Sequence, residues 1–142
     1  MGQIRSFRDL DAWNAAMDLV VTTYQTCSGL PGFEQFGLRA QMQRAAVSVP
    51  SNIAEGHAGG SGRRYRNYVR IAMGSLAELD TQLEVALRLK YIDRKRFEEL
   101  GPQLIRTRQL LHGLHRSLLA KLALRTLALA ALLCVSSTLL FS

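Results

Sequence analysis

Only two cysteines occur in the 142 residues, Cys27 and Cys134, and they lie far apart. That spacing fits neither a disulfide framework nor a metal site, and it suits a reducing compartment, so a cytoplasmic location is expected. Prolines number three, and β-branched and aromatic clusters are sparse, which leaves little signal for strands and leans the composition towards helix. No GxSxG, HExxH, CxxC or Walker loop is present, so the compact motifs of hydrolases, metalloproteases, redox proteins and nucleotidases are missing. No Glu has a His three residues later, the pairing that a di-metal bundle uses. His112 and His115 share a helix at i, i+3 without a nearby carboxylate partner. The chain is therefore expected to need no metal or cofactor and to act by binding, not by catalysis. Its first residues carry no apolar stretch after their charges, so no secretory signal is read there.

Acidic residues are also few. Eleven Asp and Glu face eighteen Lys and Arg, for a net charge of +7, a balance that favours an anionic partner such as nucleic acid, an acidic protein or a phospholipid surface. The excess is uneven. Residues 1–60 hold four basic and five acidic groups, whereas residues 61–142 hold fourteen and six. Arg63, Arg66 and Arg70 fall at i, i+3, i+7, a basic ridge interleaved with Tyr65 and Tyr68. Arg106, Arg108, Arg116, Lys121 and Arg125 add charge further on. Such a surface neutralises phosphates without reading sequence; a solvated face that keeps the protein soluble accounts for the charge as well.

What is plentiful is helical periodicity. Leu10, Trp13, Met17, Val20, Tyr24 and Cys27 recur in steps of three and four and place one stripe on a first helix. Gly29 and Pro31 stop it. A second helix over about 34–57 carries Leu38, Met42, Ala45, Val49 and Ile53, with Pro50 expected to bend it. The glycine cluster of 56–62 reads as a loop, with Ser61 the N-cap of the next helix. The third stripe is the cleanest: Tyr65, Val69, Ala72, Leu76, Leu79, Leu83 and Ala86 keep a 4-3-4-3 spacing. Asp93 caps a fourth helix with Phe97, Leu100, Leu104, Leu111, Leu114 and Leu118, which Gly101-Pro102 should kink or split. Four amphipathic helices on short loops predict an all-α, antiparallel up-and-down four-helix bundle over 1–125.

Two other features attract chemistry. Glycines 56, 59, 60 and 62 precede a helix N-terminus and Arg63-Arg64, an arrangement able to hold a phosphate, though a turn between antiparallel helices also needs glycine. Glu55 and Glu78 are placed on the inward side, where, with Asn52, they can bond backbone freed by Pro50 or tie helix to helix.

From Thr126 to Ser142 no residue is charged. This run is at the lower limit for crossing a bilayer, which takes about 20 apolar residues, and Ser and Thr dilute it. It stands as a separate C-terminal tail, open to three readings: an extension of the fourth helix, an oligomer contact, or a membrane anchor.

Three stretches carry a resemblance: 44–56 (RAAVSVPSNIAEG), 71–79 (IAMGSLAEL) and 89–92 (LKYI), supported by Phe7, Leu10 and Trp13 and by Gly37, Leu38 and Gln41. Over roughly residues 5–120 the chain resembles the bacterial four-helix bundle proteins related to the large-subunit ribosomal RNA intervening-sequence protein. The accessory variability protein of diversity-generating retroelements is similar to that group. The resemblance implies a homo-oligomer, with pentameric rings among relatives, and a basic surface that binds nucleic acid or a reverse transcriptase. On this chain the binding role maps to Arg63, Arg64, Arg66 and Arg70, with Arg39 and Arg44. The shared motifs mark Pro50, Asn52, Glu55, Gly56, Ser75 and Glu78 as structural positions. The expected function is that of an oligomeric accessory protein binding RNA or DNA; a scaffold for one dedicated protein partner is the alternative. The apolar tail departs from the family's usual pattern.

Overall fold

The computed structural model describes residues 4–60 and 62–140, with side chains as far as residue 132. Among these residues the chain forms α1 (Asp11–Cys27), α2 (Leu38–Ala58), α3 (Gly62–Arg88) and α4 (Arg94–Leu140), with no strand. Short 3-10 turns at Phe7–Asp9 and Gly32–Glu34 lead into α1 and α2. α2 packs on α1 and α3, and α4 packs on α3 and α1, which closes a four-helix bundle. Ser61, the expected cap of α3, lies outside the described residues, and so does the side chain of Cys134.

The α3 stripe is the centre of the core: Val69, Ala72, Leu76, Leu79, Leu83 and Ala86 are all buried. Met42, Ala45, Val49 and Ile53 meet it from α2, and Leu100, Leu104, Leu111 and Leu118 from α4. Each fully buried leucine contributes roughly 1.5–3 kcal/mol, and this repeated burial, not local propensity, selects the bundle.

The expected α1 stripe holds in part: Leu10 and Cys27 are buried and Trp13 and Val20 pack against the core, but Met17 and Tyr24 are 37% and 46% exposed, and Ala12, Ala16, Leu19, Thr23 and Thr26 complete the inward face. Small residues let α1 approach its neighbours closely, and the buried threonines satisfy their hydroxyls inside their own helix. Thr23 Oγ1 donates to the Leu19 carbonyl at 2.7 Å, which removes the usual cost of burying a polar group.

Neither internal proline breaks a helix. α2 runs unbroken through the buried Pro50, and α4 through Pro102. Pro102 is exposed, as is Glu98, whose carbonyl it leaves without a helical donor, and a solvent-facing acceptor costs far less than a buried one. Of the two outcomes expected at Gly101-Pro102, a kink or a split, the split is absent. Gly56 also proves to be helical, so the loop between α2 and α3 is shorter than the glycines suggest.

The turns hold the register. Asp93 Oδ1 accepts from the Arg96 N–H at 2.8 Å, capping α4 as expected. At the end of α3, Lys90 takes a left-handed φ of 61°. The Tyr91 N–H then reaches back to the Ala86 carbonyl at 2.9 Å, a Schellman closure. Tyr91 also donates its hydroxyl to Glu34 Oε1 at 3.1 Å, fastening the α1–α2 connection to the α3–α4 turn.

Candidate nucleic-acid interface

The residues of the 44–56 motif build the seam between α2 and α3. Ser48 Oγ and Ser75 Oγ share a hydrogen bond of 2.8 Å across it. Asn52 Nδ2 donates back to the Ser48 carbonyl at 2.8 Å and to its hydroxyl at 3.0 Å. One turn on, the Tyr68 hydroxyl donates to Glu55 Oε1 at 2.6 Å. Gly56 lets α3 approach, since a Cβ there would stand 2.6 Å from Tyr65 Cδ2 and 2.9 Å from Tyr68 Cβ. Two expectations need correction here. Glu55 and Glu78 are exposed, not inward; Glu78 only accepts from Gln82 Nε2 one turn along α3, at 2.9 Å. Asn52 bonds the carbonyl of Ser48, not that of Ala46, which Pro50 frees.

This seam sets the start of α3. Gly60 takes a φ of +70°, where a side chain is strained, and α3 begins at Gly62. Its first turns present Arg63, Arg64, Arg66, Asn67 and Arg70 around one shallow depression of about 380 Å³. Arg63, Arg66 and Arg70 enter none of the ion pairs among the described residues; those join Arg88 to Glu84, Arg96 to Glu99 and Arg108 to Asp80. Arg64 is engaged differently. It donates to the Tyr68 hydroxyl at 3.5 Å and lies 5.6 Å from that ring's centre. The hydrogen bond to Tyr68 is the main cause that raises its already high pKa.

The other two expected arginines lie elsewhere. Arg39 is half-buried and donates to the Leu30 carbonyl, so it braces the α1–α2 connection. Arg44 is exposed in a depression with Tyr24, Val47 and Ser51 on the α1–α2 face. The six arginines therefore do not form one site, and three stand ready on α3.

Two cationic groups belong to the same end of the bundle although sequence reasoning left them out of the site. Lys121 and Arg125 on α4 line a cleft of about 440 Å³ with His57, Gly62, Tyr65 and Leu122. Leu122 is what a Cβ on Gly62 would touch, at 3.2 Å, so α4 passes directly beside the start of α3. A sequence signal for this existed: residues 56–77 and everything after Glu99 contain no acidic residue. The nearby acids are occupied. Glu55 holds Tyr68, and Asp9 accepts the backbone N–H groups of Arg5 and Ser6, both at 2.9 Å, which lower its pKa. Glu55 and Asp9 keep their negative charge, but Arg63, Arg64, Arg66, Arg70, Lys121 and Arg125 outnumber them, and the chemistry of this end is attraction of phosphate or carboxylate.

A family model described as "23S rRNA-intervening sequence protein" matches residues 8–113. Among solved structures, a protein of unknown function of the S23 ribosomal protein family from Bacteroides thetaiotaomicron is similar. It is 22% identical with a TM-score of 0.68, over 73% of this chain and 97% of that one. That likeness speaks for the fold alone. A comparison with curated proteins gives no significant match.

Proposed function

Because the chain belongs to the 23S rRNA-intervening sequence protein family, we propose that it is a homo-oligomeric accessory protein that binds RNA or DNA and catalyses nothing. One observation carries the reading: Arg63, Arg66 and Arg70 share a depression, enter no ion pair among the described residues and sit on a stretch of chain without acidic residues. Guanidiniums arranged so bind phosphates by charge and by paired N–H donors, and a ridge along a helix tracks a backbone without reading bases. Oligomerisation has its own support. Met17, Val21, Tyr24 and Val47 are exposed together on the α1–α2 face, an apolar patch of the kind that marks a protein contact.

The test is fluorescence anisotropy of labelled RNA and DNA duplexes at low salt. The full chain should bind, R63A/R66A/R70A should lose at least tenfold in affinity, and R88A, which removes a charge held by Glu84, should bind as the parent does. No binding at low salt, or equal binding by the triple variant, overturns the proposal. The same apolar face favours a second reading, a scaffold for one dedicated protein such as a reverse transcriptase. A nuclease-treated pull-down recovering a single protein, together with no affinity for nucleic acid, would select that reading.

A further inference from the structure

α4 does not end with the bundle. Leu118 is buried and Leu122 half-buried against Gly62, but from Ala123 onward every described side chain is exposed while the helix continues to Leu140. The projecting 18 residues of 123–140 extend about 27 Å at 1.5 Å per residue. Leu124, Leu127, Leu129 and Leu132 are 67%, 68%, 61% and 69% exposed. At 100° per residue they spread over about 200° of the circumference, twice the width of a stripe that one packed surface covers. The family match ends at residue 113, so this extension lies outside the shared fold.

At its base the extension has a collar of one sign. Arg116, Lys121 and Arg125 lie on the last turns before the uncharged run, and no acidic residue follows Glu99. Lys121 and Arg125 also rim the cleft floored by Leu118, Leu122 and Tyr65. An apolar rod above a cationic collar matches an anionic bilayer, with acyl chains around the leucines and headgroup phosphates at the collar. A second copy is a poorer match: parallel tails bring like-charged collars together, and one partner helix leaves half the leucines in water. The rod also fits entry without passage. Thr126 to Leu140 spans about 22 Å against a hydrocarbon core of about 30 Å.

We propose that the α4 extension beyond Arg125 inserts into one leaflet of an anionic phospholipid membrane, with Arg116, Lys121 and Arg125 on the headgroups. This site is separate from the arginine depression on α3, and the two fail independently. The test is co-sedimentation of the nuclease-treated full chain with vesicles of phosphatidylglycerol and phosphatidylcholine, and with phosphatidylcholine alone. Anionic vesicles should bind at least tenfold more strongly. L127D/L132D should abolish binding to both, and K121Q/R125Q, which removes two charges, should weaken anionic binding roughly 25-fold, from about one fivefold factor per basic residue near the surface. R63A/R66A/R70A, which tests the nucleic-acid site, should keep most vesicle affinity. Absence of vesicle binding overturns the proposal, as does equal binding to the two lipid compositions. If L127D/L132D instead lowers the mass in solution without changing vesicle binding, the extension is a contact between copies and the proposal fails.

Discussion

Gly56→Ala should loosen the α2–α3 seam even though alanine is the better helix former. The added Cβ would stand 2.6 Å from Tyr65 Cδ2 and 2.9 Å from Tyr68 Cβ. Neither ring can simply withdraw. Tyr65 has His57 edge-on against it, with centroids 5.8 Å apart, and Tyr68 is held by Glu55 at 2.6 Å. Relief therefore needs α2 and α3 to part or two rings to leave their rotamers, at about 1–3 kcal/mol. Against this stands a helix-propensity gain of about 1 kcal/mol. Gly74 supplies the control, since it too is helical, within α3, and nothing would meet its Cβ within 4 Å. Gly74→Ala should therefore gain that propensity outright. The difference between the two variants cancels propensity and isolates the overlap, again about 1–3 kcal/mol. For a domain of this size about 4 °C accompanies each kcal/mol, so the two melting temperatures should differ by about 4–12 °C, with Gly56→Ala the lower. Parallel thermal unfolding by circular dichroism reads this directly. Equal shifts in the same direction would refute the claim that Gly56 is there for close helix approach.

Lys90→Gly should raise stability by about 1 kcal/mol, because the left-handed φ at 90 strains any side chain; a loss in urea unfolding would contradict it. Burial pushes the Tyr65 phenol up to about 12, and its oxygen has no partner among the described residues. The folded chain thus keeps a proton that the unfolded chain releases near pH 10, so stability falls as pH rises from 10 towards 12. Tyr65→Phe should hold neutral-pH stability within about 1 kcal/mol and lose less between pH 7 and 11, whereas an unchanged alkaline loss would count against this. Burial likewise raises the Cys27 thiol to about 11. In a Cys134→Ser background it should resist a thiol reagent at pH 8 until denaturant unfolds the chain; fast native labelling would contradict its burial.

The helices were largely legible because their faces carry large aliphatic residues at the right period, as the α3 stripe from Val69 to Ala86 does. On α1 the apolar period picks out the buried Leu10 and Cys27 but also the exposed Met17 and Tyr24, because periodicity counts size and polarity only. It could not know that Ala12, Ala16 and Thr23 would face inward, with the Thr23 hydroxyl satisfied by its own helix. Pro102 does not split α4: its local cost is real, but the residue whose carbonyl it frees faces solvent. The arginines show the limit for sites. Spacing on one helix correctly gathered Arg63, Arg66 and Arg70, since i, i+3, i+7 is a local property. It could not tell that Arg39 braces a loop or that Lys121 and Arg125 meet the start of α3, which depend on how distant segments pack.

The central claim is that three α3 arginines bind the phosphates of a nucleic acid. The most direct measurement is the slope of log affinity against log salt for the full chain and for R63A/R66A/R70A. Each neutralised phosphate contributes about 0.7–0.9 to that slope, so the triple variant should be shallower by about 2–3. Parallel lines for the two proteins would mean that these arginines touch no phosphate.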